Sequence, residues 1–137
     1  SKKIEKKDYE YFEDKYGSKF YRLGYDMAAG KVGIGDYLTF FKSDLKEAFT
    51  DPNISNKEEE YDEAEAYASS LVGTAEWDAQ VGELIRKIAE RERIPEGTDF
   101  YVRGIFAALT SEWVRGYIDY ILELKEKEKL KGKRVRA

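Results

Sequence analysis

The chain has 137 residues, with 24 Lys+Arg, 28 Asp+Glu, no His and no Cys. That length suits one domain, or one domain with an ordered arm. Without Cys there is no disulfide scaffold, thiolate zinc site or cysteine nucleophile. Without His, zinc hydrolases, Ser-His-Asp triads and Glu-x-x-His di-iron bundles are excluded as well.

At 38% charged and 42% apolar, the composition is too apolar for disorder and too charged for a membrane protein. No apolar run is long enough for a transmembrane helix. The first eight residues lack the apolar region of a signal peptide, so secretion by that route is not expected. The location expected is a virion or the cytoplasm. Asn53, Asn56, Gln80 and Met27 are the only amide and sulfur residues. Few thermolabile residues among many charges is a pattern of proteins from very hot environments. Charge is uneven along the chain: net +2 over residues 1–46, −10 over 47–99 and +4 over 100–137.

In chain order, residues 4–16 carry Tyr9, Phe12 and Tyr16 at helical spacing, a narrow apolar stripe on a charged helix. Gly17-Ser18 reads as a stop followed by a cap, and Phe20, Leu23 and Met27 as a second short helix to about residue 29. Gly30, Gly33 and Gly35 mark a hinge over 31–36. Asp36 caps a helix over 37–49, ended by Pro52. Asn56 caps the next, over 57–72, with Glu58, Glu59 and Glu60 in its first turn and Tyr61, Ala64, Ala68, Leu71 and Val72 as its apolar face. Gly73-Thr74 is a stop and a new cap. Trp77, Val81, Leu84, Ile85 and Ile88 then line a helix over 75–93. Thr98 caps the last helix, to about residue 130, through Val102, Phe106, Leu109, Trp113, Tyr117, Tyr120 and Leu124.

No strand pattern competes with this periodicity. The expected class is all-α: a bundle of about four helices over 37–130, a semi-independent helical arm over 1–30 and a basic tail over 131–137. The short loops suit antiparallel neighbours.

No catalytic motif emerges, and an enzyme is not expected. Gly24 to Lys31 misses a phosphate-binding loop: five residues separate its glycines where four are needed, and Val32 stands where Ser or Thr should bind magnesium. Gly33-x-Gly35 lacks the third glycine and the acid of a dinucleotide site. Glu58, Glu59, Asp62 and Glu63 crowd one helix; they suit a patch for a basic partner or a solvated face better than a metal or glycosidase site. No cofactor, metal or small-molecule substrate is expected.

The basic ends carry the stronger signal. Lys15, Lys19, Arg22 and Lys31 on the arm, and Lys133, Arg134 and Arg136 in the tail, have the chemistry to neutralise phosphates. The arm's tyrosines, Tyr9, Tyr11, Tyr16, Tyr21 and Tyr25, have hydroxyls able to donate to phosphate oxygens. With no recognition-helix or finger motif, such binding would be independent of sequence. Aromatic content of 15%, with eleven Tyr, exceeds what one small core needs and points to self-association.

These features together resemble the major coat proteins of filamentous viruses of hyperthermophilic archaea. The resemblance rests on the helical arm over 4–29, the glycine hinge over 30–35 and the bundle from residue 36 to 130, and is architectural rather than a motif match. It implies a structural nucleoprotein: a filament subunit that binds itself or a paralogous coat subunit and wraps double-stranded DNA. It also implies that Lys15, Lys19, Arg22 and Lys31 touch phosphates. The net charge of −4 departs from a basic DNA wrapper. The alternative is a small helical regulator or inhibitor, from a virus or mobile element, that sets its acidic helix on a basic partner.

Overall fold

A computed structural model describes the backbone of residues 6–32 and 57–135, and the side chains of 8–32 and 58–128. Within them the chain is all-α, with four helices and no strand. Helix α1 is Lys6–Ala28 and α2 is Lys57–Leu71. Helix α3 covers 75–91; a π-helical turn, Asp78–Gly82, interrupts it between Ala75–Trp77 and Glu83–Arg91. Helix α4 opens with a π-helical stretch, Phe100–Phe106, and continues as Ala107–Val135.

The start and stop signals around α3 and before α4 operate as the sequence predicts, while Asp36, the helix over 37–49, Pro52 and Asn56 lie outside the described residues. Gly73 takes φ of 87°, the left-handed conformation that ends α2, and Gly97 takes φ of 84° in the turn that precedes α4. Thr74 Oγ1 accepts from the Trp77 amide at 3.2 Å and caps α3. Thr98 Oγ1 accepts from the Tyr101 amide at 3.1 Å and caps α4.

Gly17-Ser18 behaves differently. The expected break is absent and α1 runs straight through it. Gly17 is buried beside the Glu112 side chain, so tertiary packing outweighs the roughly 1 kcal/mol helical penalty of glycine. Nor is α1 set apart from the bundle. Phe12, Tyr16, Phe20, Met27 and Ala28 are buried in the same core as Ile105, Leu109, Trp113, Tyr117 and Ile121 of α4. The aromatic stripe that the sequence leaves in need of a partner lies against α4.

The pairing direction is also tertiary information. Tyr9 meets Ser111, Tyr21 meets Asp119 and Tyr25 meets Glu123, so α1 and α4 run parallel. Helices α2 and α3 run the other way and follow one another down α4. Tyr67 of α2 packs on Tyr117, and Trp77 of α3 packs edge-on against Trp113 and Phe106. Trp77 and Trp113 are both fully enclosed and form the centre of the core. The Trp113 indole N–H donates to Met27 Sδ at 3.3 Å, tying α1 to that centre.

The π stretch shifts the phase of α4. Read at 3.6 residues per turn, Val102 belongs to the inward stripe; it is instead 52% exposed. Tyr101 and Ile105 are buried in its place. Hydrogen bonds to the fifth residue back widen each turn, so the inward face advances by more than a period-3.6 reading allows. In α2 Ala64 and Ala68 face inward as expected, but Glu60 is buried in the place of Tyr61, which is 45% exposed.

Candidate nucleic-acid interface on the first helix

Burial of the Phe12, Tyr16, Phe20 and Met27 side of α1 leaves the opposite side in solvent. Lys15, Lys19 and Arg22 stand there, four and three residues apart on one exposed edge. From Lys15 to Arg22 the helix rises about 10.5 Å. Tyr11, 47% exposed, extends the row by one turn. Lys31 is exposed just beyond the helix end, after Gly30 at φ 78°.

Two of these cations have partners. Lys15 Nζ donates to Glu92 Oε1 at 2.7 Å and to the Tyr11 hydroxyl at 3.1 Å, above the Tyr11 and Tyr16 rings. Arg22 Nε lies 3.5 Å from Asp26 Oδ1, and its guanidinium sits 5.7 Å from the Tyr25 ring centroid. Lys19 makes no ion pair among the described residues.

The tyrosines differ from the sequence expectation. Tyr9 donates to Ser111 Oγ at 2.9 Å, Tyr16 to Glu92, Tyr21 to Asp119 and Tyr25 to Glu123. Their protons are committed inside the fold, because each side chain leans across to α4 or to the end of α3. Tyr11 accepts from Lys15, and its hydroxyl also helps to hold down the Glu92 carboxyl.

These contacts shift the titrations. The hydrogen bonds from Lys15 and then Tyr16 hold the Glu92 carboxyl below its usual range. The bond to Asp119, with burial second, pushes the Tyr21 hydroxyl up to about 12. The bond to Glu123 raises Tyr25, while burial is the main cause for Tyr16. Burial raises the Glu112 carboxyl.

Elsewhere, Glu58, Glu59, Asp62 and Glu63 are exposed on α2, with Tyr61 among them. Glu63 Oε2 lies 3.6 Å from Lys125 Nζ. Lys125 is 1% exposed and forms part of the α2–α4 contact. No group of three acids that could hold a metal occurs among the described residues. No helix among them is long and apolar enough to cross a membrane. Gly33, Gly35 and Arg136, and the side chains of Lys133 and Arg134, lie outside the described residues.

Sequence reasoning missed Glu92 and Lys125. Glu92 looks like one more acid in the alternating run from Glu90 to Arg93, and only the docking of α1 beside the end of α3 distinguishes it. Lys125 has a weak signal: it lies one residue beyond Leu124 on the inward side of α4.

No protein-family model matches the chain, and neither does any curated protein or solved structure.

Proposed function

We propose that the chain is a structural nucleoprotein subunit that binds double-stranded DNA along its backbone and associates with itself or a paralogous subunit. A filamentous virion coat is the assembly in which both properties are used. The observation that carries this reading is the exposed edge Lys15–Lys19–Arg22. It offers three cations within about two helical turns to a polymer with one charge per about 1.7 Å of axis. Phosphate contacts from side chains on one helix fix position and read no bases.

The test is fluorescence anisotropy of a labelled duplex over a salt series, with wild type and the K15Q/K19Q/R22Q variant. Wild type is expected to bind with a salt-dependent affinity, and the triple variant to lower the log–log slope by about two to three. Wild type that ignores duplex DNA at low salt overturns the reading. Light scattering with and without DNA tests self-association, for which growth in size on adding DNA is expected.

The exposed acids of α2 around Tyr61 favour a second reading, a regulator docked on a basic protein. An E59Q/D62Q variant that loses one stoichiometric basic partner while duplex binding is unchanged would favour it.

A further inference from the structure

The contact between Lys15 and Glu92 joins two helices 77 residues apart in sequence. Its two halves are unequally held. Glu92 is 17% exposed, its amide donates to the Ile88 carbonyl at 2.9 Å, and the Tyr16 hydroxyl donates to the same Oε1 that Lys15 uses. Lys15 is 48% exposed on a flexible stem, touching Tyr11 on its outer side. The carboxylate is therefore the fixed half and the ammonium the movable one. Along the same edge Lys19 makes no ion pair among the described residues, and Arg22 has only its looser pair with Asp26 on its own helix.

We propose that Glu92 gates Lys15: it holds the ammonium against the protein until a closely spaced row of phosphates displaces the carboxylate. The inference rests on the reading of this edge of α1 as a duplex-backbone site. A single phosphate ion offers Lys15 little beyond what Glu92 already supplies. A duplex engages Lys19 and Arg22 first and so brings further phosphates to Lys15 at high local concentration. Glu92 thereby biases the edge toward dense polyanions over isolated anions, and it does so by positioning Lys15 rather than by touching the ligand.

The test compares Glu92→Gln with Glu90→Gln. Both remove one negative charge from neighbouring exposed or half-exposed positions, and only the first acts on Lys15. With a labelled duplex, E92Q is expected to bind about two- to fivefold tighter at low salt, the range of one exposed ion pair. Its log–log salt slope should stay that of wild type, because Lys15 neutralises a phosphate in both bound states, and E90Q should change neither affinity nor slope. Inorganic phosphate should compete for the edge more effectively in E92Q than in wild type. Adding K15Q should cost more affinity in the E92Q background than in wild type. A second comparison avoids the α1–α3 contact: in wild type, K15Q should cost less than K19Q.

Equal behaviour of E92Q and E90Q, or a K15Q cost that is the same in both backgrounds, overturns the gate while leaving the backbone-binding reading in place. Wild type that fails to bind duplex overturns that reading, and the gate with it.

Discussion

Gly24 and Gly116 are the paired points at which α1 and α4 lie backbone to backbone. A Cβ on Gly24 would stand 2.0 Å from the Trp113 carbonyl oxygen, and one on Gly116 would stand 1.9 Å from the Tyr21 carbonyl oxygen. Neither obstacle is a side chain that can rotate away, so the two helices keep this distance only while both positions are glycine.

Gly24→Ala and Gly116→Ala are each expected to destabilise the fold by about 3 kcal/mol, at the upper end of overpacking costs and despite alanine's better helix propensity. Gly17→Ala on the same seam meets only the Glu112 side chain at 3.3 Å, and should change stability by less than about 1 kcal/mol. Urea unfolding of the three variants checks the contrast. A Gly24→Ala as benign as Gly17→Ala would show that the helices can separate at no cost.

Met27→Leu preserves bulk but removes the acceptor for the buried Trp113 indole N–H. A loss of about 1 kcal/mol is expected, the cost of stranding one buried donor. Thermal unfolding and the Trp fluorescence of the variant report it.

The phase shift at the start of α4 makes opposite predictions for two aliphatic residues three apart. Val102→Ala should lie within about 0.5 kcal/mol of wild type, because that side chain faces solvent. Ile105→Ala should cost about 2–4 kcal/mol, because that side chain is fully enclosed. A regular α-helix from Thr98 onward, with Val102 in its inward stripe, would make the Val102 change costly as well.

Titration should weaken the fold at both ends of the pH scale. Glu92 has a folded pKa below its ordinary value, so the stability it contributes is present above about pH 4.5 and is lost as pH falls through the folded pKa. E92Q should flatten this acid limb. Glu112 is raised by burial, so its ionisation opposes folding, and E112Q should raise stability at neutral pH and steepen the acid limb. At the alkaline end the Tyr21 proton is held up to about 12 in the fold against about 10 in the unfolded chain. The stability it contributes is complete below pH 10 and is lost as pH rises from 10 to 12. Tyr21→Phe should remove part of that alkaline loss. Denaturant midpoints measured from pH 3 to pH 12 test all three.

Much of the architecture is legible in the residues. Thr74 and Thr98 cap the helices they precede, Gly73 and Gly97 turn the chain as expected, and Trp77, Val81, Ile85 and Ile88 face inward. Of the proposed interface, the exposure of Lys15, Lys19 and Arg22 is legible too, because an amphipathic helix with Phe12, Tyr16 and Phe20 inside must turn its cations outward. The commitments of Tyr9, Tyr16, Tyr21 and Tyr25 are not, since each hydroxyl finds its partner more than seventy residues away.

By itself, the sequence determined the helical class, the caps at Thr74 and Thr98, the turns at Gly73 and Gly97, and the absence of histidine and cysteine chemistry. All of these depend on composition or on hydrogen bonds closed within three or four residues. Only the tertiary structure decided that α1 continues through Gly17, that it runs parallel to α4, that Val102 faces out and that Lys15 rests on Glu92. Those outcomes depend on which helix faces come together, and on close backbone approach where Gly24 meets α4 and Gly116 meets α1. Local propensities differ by only about 1 kcal/mol, so burial of a shared core across distant segments outweighs them.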